Sequence, residues 1–159
     1  MGKMMVYHGS YTKIEKPKII KGRNTKDFGP GFYCTIIREQ AERWARRYDT
    51  PKVNVYTVRM EESLNILEFK EMTEEWLDFI VACRLGKPHT YDIVEGPMAN
   101  DTIFNYVQNF IDKKISRAAF WELAKFNHPT HQISFHTLSA LDCLTFVKSE
   151  VVYDREGKK

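Results

Sequence analysis

Cysteine is scarce in this chain: Cys34, Cys83 and Cys143 are the only three among 159 residues. An odd, widely spaced set builds neither a disulfide framework nor a Cys-x-x-Cys pair, so a reducing, cytoplasmic setting is expected. Long apolar runs are missing as well. The longest is Phe79–Cys83, far short of the roughly 20 residues a membrane-spanning helix needs. The first residues, Met1-Gly2-Lys3-Met4-Met5-Val6-Tyr7-His8, contain no apolar stretch with a small-residue cleavage site, and no secretory leader is expected. Val6 stands where a myristoylation motif carries Ser or Thr, so no membrane attachment is expected either. Charge of one sign is not in excess: 24 Lys and Arg face 21 Asp and Glu, a net of +3. That is too mild to argue for a nucleic-acid partner from total charge. There is no Gly-x-Gly-x-x-Gly and no Walker loop, which weighs against dehydrogenase and kinase readings.

Aromatic residues, by contrast, are plentiful: 3 Trp, 8 Tyr and 10 Phe. A chain of this length supports one domain with a sizeable core, here residues 1–153, followed by a polar tail at 154–159. Charge is concentrated locally. Residues 13–26 hold Lys13, Lys16, Lys18, Lys21, Arg23 and Lys26 against Glu15 alone. This segment reads either as a solvated loop or as a positive rim for an anionic ligand.

Periodicity and punctuation predict strands at Met4–His8, Phe32–Thr35, Val53–Met60, Leu64–Phe69, Tyr91–Val94, Gln132–His136 and Thr145–Tyr153. Helices are predicted over Arg38–Tyr48, after Thr73 as far as Gly86, after Asp101, after Ser116, and briefly at Ser139–Leu144. Trp76, Phe79, Phe104, Phe110, Phe120 and Phe126 fall at helical spacing and are expected in the core, and Leu123 is expected on the apolar face of its helix. Mixed strands with clustered helices make this an α+β chain. His128, His131 and His136 lie close together, but Pro129 disfavours the helix that would turn the first two into a ligand pair, and no metal is expected.

Three short segments carry the chemistry. They are Tyr7-His8-Gly9-Ser10, then Phe28-Gly29-Pro30-Gly31-Phe32-Tyr33-Cys34-Thr35 running into Gln40-Ala41-Glu42-Arg43-Trp44, then His131-Gln132-Ile133-Ser134-Phe135. Their order and spacing resemble the ADP-ribosyltransferase fold in its diphtheria-toxin and poly(ADP-ribose)-polymerase branch. With Tyr91–Asp101 added, the chain looks more closely like a bacterial family of ADP-ribosyltransferase-like proteins, over nearly its whole length. The resemblance implies an α+β fold of split mixed and antiparallel sheets with flanking helices. It implies NAD as substrate, a protein or nucleic-acid acceptor, and a toxin-like role with a cognate antitoxin.

Carried over by motif, the resemblance implies that His8 bonds the adenosine ribose. Gly9 brings its backbone close to the nicotinamide amide, where a Cβ would crowd it, and Ser10 assists. Gly31 belongs to the same binding set. Tyr33 stacks on the nicotinamide, and Trp44 stands where relatives place a second aromatic. The chain departs from the pattern at one point: Gln132 occupies the place of a catalytic glutamate. An amide can hold ribose hydroxyls, but it can neither stabilise a developing cation by charge nor take a proton. Three outcomes are therefore open: transfer to an acceptor that needs no strong base, service by another carboxylate (Asp92, Glu95 or Asp101), or binding of NAD-like ligands with little turnover. A non-catalytic module that binds NAD, ADP-ribose or a partner protein, and NAD glycohydrolysis with water as acceptor, are the further alternatives.

Overall fold

The computed structural model describes residues 3–19, 27–99, 103–125 and 130–153. In chain order they form β1 (Lys3–Ser10), β2 (Phe32–Cys34), α1 (Arg38–Ala45), β3 (Lys52–Arg59), β4 (Ile66–Glu68), α2 (Glu74–Arg84), β5 (Ile93–Gly96), α3 (Phe104–Ile111), α4 (Arg117–Ala124), β6 (Gln132–Phe135), α5 (Leu138–Leu141) and β7 (Leu144–Val151). The order of strands and helices is the one expected from the sequence, and the class is α+β.

The strands divide into two sheets. β1, β3 and β7 make an antiparallel sheet in the order β1-β3-β7, and the second sheet runs β2-β6-β5-β4. Only β4 and β5 pair in parallel, with α2 as their crossover. The sheets meet where β1 passes β2. There Tyr7 and Thr35 exchange backbone hydrogen bonds of 2.8 and 2.9 Å. This single bridge brings His8, at the end of one sheet, beside Tyr33 in the other.

Alternation along β6 explains how the chain builds both a core and a site. All four of its residues are buried. Ile133 and Phe135 join Val6, Phe32, Tyr56 and Ile93 in the core between the sheets. Gln132 and Ser134 point the other way, because successive side chains of a strand face opposite sides. That second face is covered by Phe28, Trp76, Leu77, Ile80, Val107 and Phe120. A third cluster forms where Ala41 and Ala45 of α1 lie on Val53 and Val55.

Local signals hold at most helix ends. The Thr73 side chain accepts from Trp76 N–H, and Ser116 does the same for Ala119. Gly86 follows the end of α2 and its N–H donates to Cys83 O. Two expectations about α3 differ. Its N-cap position is Ile103, with no side-chain cap, and Asp101 lies outside the described residues. Phe104 was expected in the core but is only half-buried and faces a cleft, because the buried stripe of α3 runs instead through Ile103 and Val107. Leu123 was likewise expected on an apolar face and is 43% exposed, since α4 buries Phe120 and Ala124 instead. Phe126 lies outside the described residues. No helix among the described residues is long and apolar enough to cross a membrane.

Candidate functional site

A cleft of about 1030 Å³ opens where the two sheets meet, a size at the upper end for small-molecule and nucleotide sites. Of the site residues expected from the sequence, His8, Gly9, Ser10, Gly31, Tyr33, Trp44 and Gln132 line it, and Asp101 lies outside the described residues. The three motifs therefore converge on one surface.

Among the described residues, the His8 ring touches Tyr33 and Phe32. Its Nδ1 lies 2.5 Å from Tyr33 O, and the ring stacks on Phe32 at 4.2 Å between centroids. A carbonyl only accepts, so Nδ1 carries a proton, and whenever the ring is neutral Nε2 is its acceptor. Ser10 is buried at the end of β1, with its Oγ 3.4 Å from Thr12 N. Gly9 is needed for a reason the motif does not disclose. A Cβ there would stand 2.3 Å from Ala41 O and 2.9 Å from Ala45 N. The close packing of α1 on β1, rather than a ligand, is what excludes a side chain. Gly31 is constrained likewise by Phe135 O, at 2.8 Å from an added Cβ.

The tyrosine at the centre of the second motif is anchored through its hydroxyl. Tyr33 Oη donates to Gly29 O at 2.5 Å and accepts from Phe28 N at 3.0 Å. Burial raises its pKa well above the ordinary value, so the phenol is neutral. Two histidines complete this clamp on the Phe28–Gly31 turn. His89 Nε2 donates to Phe28 O at 2.9 Å, and His136 Nδ1 donates to Pro30 O at 2.7 Å. Burial lowers the His136 pKa from 6.5 to about 4, against the opposing effect of its bond to Pro30 O. A folded-state pKa below the unfolded one means that the unfolded chain takes up the proton first as pH falls. The stability that neutral His136 supplies is complete above pH 6.5 and is lost as pH falls towards 4, about 3 kcal/mol in all. Urea unfolding between pH 7 and 4 checks this. The loss across that window should be clearly smaller in His136→Gln than in the native protein.

Gln132 meets an acid that the sequence reading passed over. Its Nε2 donates to Asp27 Oδ2 at 2.9 Å and lies 3.4 Å from Pro97 O. Asp27 is 2% exposed and lines the cleft. It also accepts from Arg84 Nη2 at 2.9 Å and from Ala99 N at 2.6 Å. Arg84 in turn donates to Ala99 O at 2.6 Å, and its guanidinium lies 4.2 Å over the Phe104 ring. A carboxylate accepts only, so Asp27 locks the Gln132 amide with its nitrogen inward and its oxygen on the opposite side.

Two of the carboxylates considered as substitutes, Asp92 and Glu95, sit elsewhere. Asp92 accepts from Thr137 Oγ1 at 2.6 Å and Asn65 N at 2.9 Å, and does not reach the cleft. These bonds lower its pKa below the usual value. Glu95 accepts from His131 Nε2 at 2.7 Å, while His131 Nδ1 accepts from Ile36 N at 3.1 Å. His131 lines the cleft with both nitrogens engaged. His136 bonds elsewhere, to Ser134 and Pro30, so His131 and His136 are not directed at one point.

Trp44 and Gln40 come from α1, whose Ala41 and Ala45 face the sheet and so turn Trp44 towards the cleft. Gln40 pairs with His131 like a short strand, donating to its O at 2.8 Å and accepting from its N at 2.9 Å. This fixes the entry of β6, and hence Gln132. Gln40 stood inside the second motif but carried no expected role. Asp27 directly precedes the Phe28-Gly29-Pro30-Gly31 cluster, the one local sign that could have singled it out.

The model of a family described as "Protein of unknown function (DUF3990)" matches residues 4–146. No curated protein matches the chain.

Proposed function

The chain belongs to the DUF3990 family of unknown function, and from the cleft we propose that it is an NAD-dependent mono-ADP-ribosyltransferase with an ADP-ribosyltransferase-like fold. One observation carries this reading: three motifs from opposite ends of the chain line a single nucleotide-sized cleft. In this reading His8 Nε2 accepts from a hydroxyl of the adenosine ribose. The rings of Tyr33 and Trp44 hold the nicotinamide between them, and the Gln132 amide, locked by Asp27, holds the nicotinamide ribose. The bond between C1′ and the nicotinamide nitrogen breaks, and nicotinamide leaves as a neutral molecule with the bonding pair. A nucleophile of the acceptor forms the new bond to C1′ and its proton passes to water. The Asp27 charge is matched by Arg84 at 2.9 Å, so Asp27 orients and polarises the Gln132 amide and does not act as a base. A toxin held in check by a cognate antitoxin is the setting this activity fits.

A second reading, binding of NAD or ADP-ribose with little turnover, is favoured by one fact. The NH2 group that carries both donors of the Gln132 side chain is turned to Asp27 and Pro97. Labelled NAD incubated with the folded protein and a cell lysate separates the two. Transfer of label to macromolecules, with nicotinamide released, is the expected result. NAD binding with neither release nor transfer establishes the second reading, and release without labelled macromolecule points to glycohydrolysis. His8→Ala should weaken NAD binding about tenfold in calorimetry, the loss of one well-placed hydrogen bond.

A further inference from the structure

We propose that the outer end of the same cleft is a binding site for single-stranded nucleic acid. Tyr11 and Tyr48 are 60% and 41% exposed, unusual for rings of that size, and lie 5.5 Å apart at a tilt of 58°. Both line the cleft, next to Trp44, whose ring carries the Arg47 guanidinium at 3.9 Å. The wall that begins at Tyr11 also carries Lys13, Lys16 and Lys18, all exposed and all lining the cleft. Against these cations, the described residues of the cleft lining include two acids, Glu15, 3.9 Å from Lys13, and Asp27, which is paired with Arg84.

The wall is built, not loose. Thr50 Oγ1 donates to Tyr11 O at 2.7 Å, Asn54 Nδ2 donates to Thr12 O at 3.0 Å, and Ile14 is held from both sides of its peptide by Asn54 and Tyr56. Stacking rings alternating with cations is the arrangement that grips unpaired bases and their phosphates. A duplex hides the base faces these rings would meet. An acidic peptide would answer the lysines but leave two exposed tyrosine faces without a matching planar partner.

As a binding site this stands without the reaction proposed above. As the site of the acceptor it rests on that reading, with a base or ribose nucleophile of the strand attacking C1′.

The test is fluorescence anisotropy with a labelled 12-nucleotide single-stranded RNA, the corresponding DNA, and an abasic 12-mer of the same backbone, all without NAD. The base-bearing strands should bind at least tenfold more tightly than the abasic one. The logarithm of affinity should fall with that of salt at a slope of about −3, for roughly four phosphate contacts. Tyr11→Ala combined with Tyr48→Ala should weaken base-bearing strands about a hundredfold and the abasic strand hardly at all. Circular dichroism confirms that these surface variants fold. Equal affinity for the abasic strand, an equal affinity for poly-glutamate, or no binding overturns the proposal. Nicotinamide release is measured on the same variants and should be unchanged. Release without strand binding sinks this inference and leaves the transferase reading standing, whereas strand binding without NAD binding does the reverse.

Discussion

Replacing Arg84 by Met should cost the protein about 3–5 kcal/mol of stability. Arg84 and Asp27 have side chains only 3% and 1% exposed. Attraction between the two charges offsets the cost of taking both out of water, and each is hydrogen-bonded further. Asp27 accepts from Ala99 N and Gln132 Nε2, and Arg84 donates to Ala99 O and Phe104 O. Arg84→Met keeps much of the side-chain volume but leaves the Asp27 charge buried with two neutral donors. Its cost is therefore set by that stranded charge and not by lost packing. Removing both charges, with Arg84→Met and Asp27→Asn together, should be less damaging than Arg84→Met alone, because no ion then remains in the interior. Denaturant unfolding of the native protein and the two variants measures both quantities. A loss below about 1 kcal/mol for Arg84→Met would mean that water reaches the pair and that the cleft floor is more open than its geometry indicates.

The second large effect is expected at Gln132, with activity rising instead of stability falling. Gln132→Glu places a carboxyl where the resemblance expects one, at the nicotinamide ribose, and nicotinamide release should rise about a hundredfold. The gain should depend on pH. The new carboxyl would lie against Asp27 Oδ2, 2.9 Å from the present Nε2, and near Pro97 O at 3.4 Å. Two like charges this close cannot both form cheaply. With Asp27 held by Arg84, the new group keeps its proton above the ordinary carboxylate range. Release should climb as pH rises through that raised pKa. Stability should move the other way, because an acid with a raised folded-state pKa is lost to the unfolded state as pH rises past its unfolded value. A variant that folds, binds NAD and still releases nothing at pH 8 would leave the binding-only reading in place.

Much of this was legible in the sequence because its signals are local. The alternation at Val53–Met60, the Thr73 and Ser116 caps and the glycine after α2 each sit within a few residues of what they specify. His8, Tyr33 and Gln132 were legible as a set through the order of their motifs, and they do line one cleft. Asp27 was not legible. Its partners Arg84, Ala99 and Gln132 are distant in the chain, and an acid ahead of a glycine-proline turn reads as solvent-facing. Phe104 was misplaced because helical spacing tells that a ring lies on a stripe, not whether that stripe meets the core or borders a cleft. Gly9 was read as making room for a ligand, when the room is taken by the α1 backbone.

The central claim, that the His8–Tyr33–Gln132 cleft holds NAD, is tested most directly by a crystal structure of the protein with NAD. The predicted result is nicotinamide against the Tyr33 ring, the adenosine ribose on His8 Nε2, and the Gln132 amide beside the nicotinamide ribose, with Asp27 still bonded behind it. NAD bound on another face, or a cleft that stays empty at saturating NAD, would contradict the account.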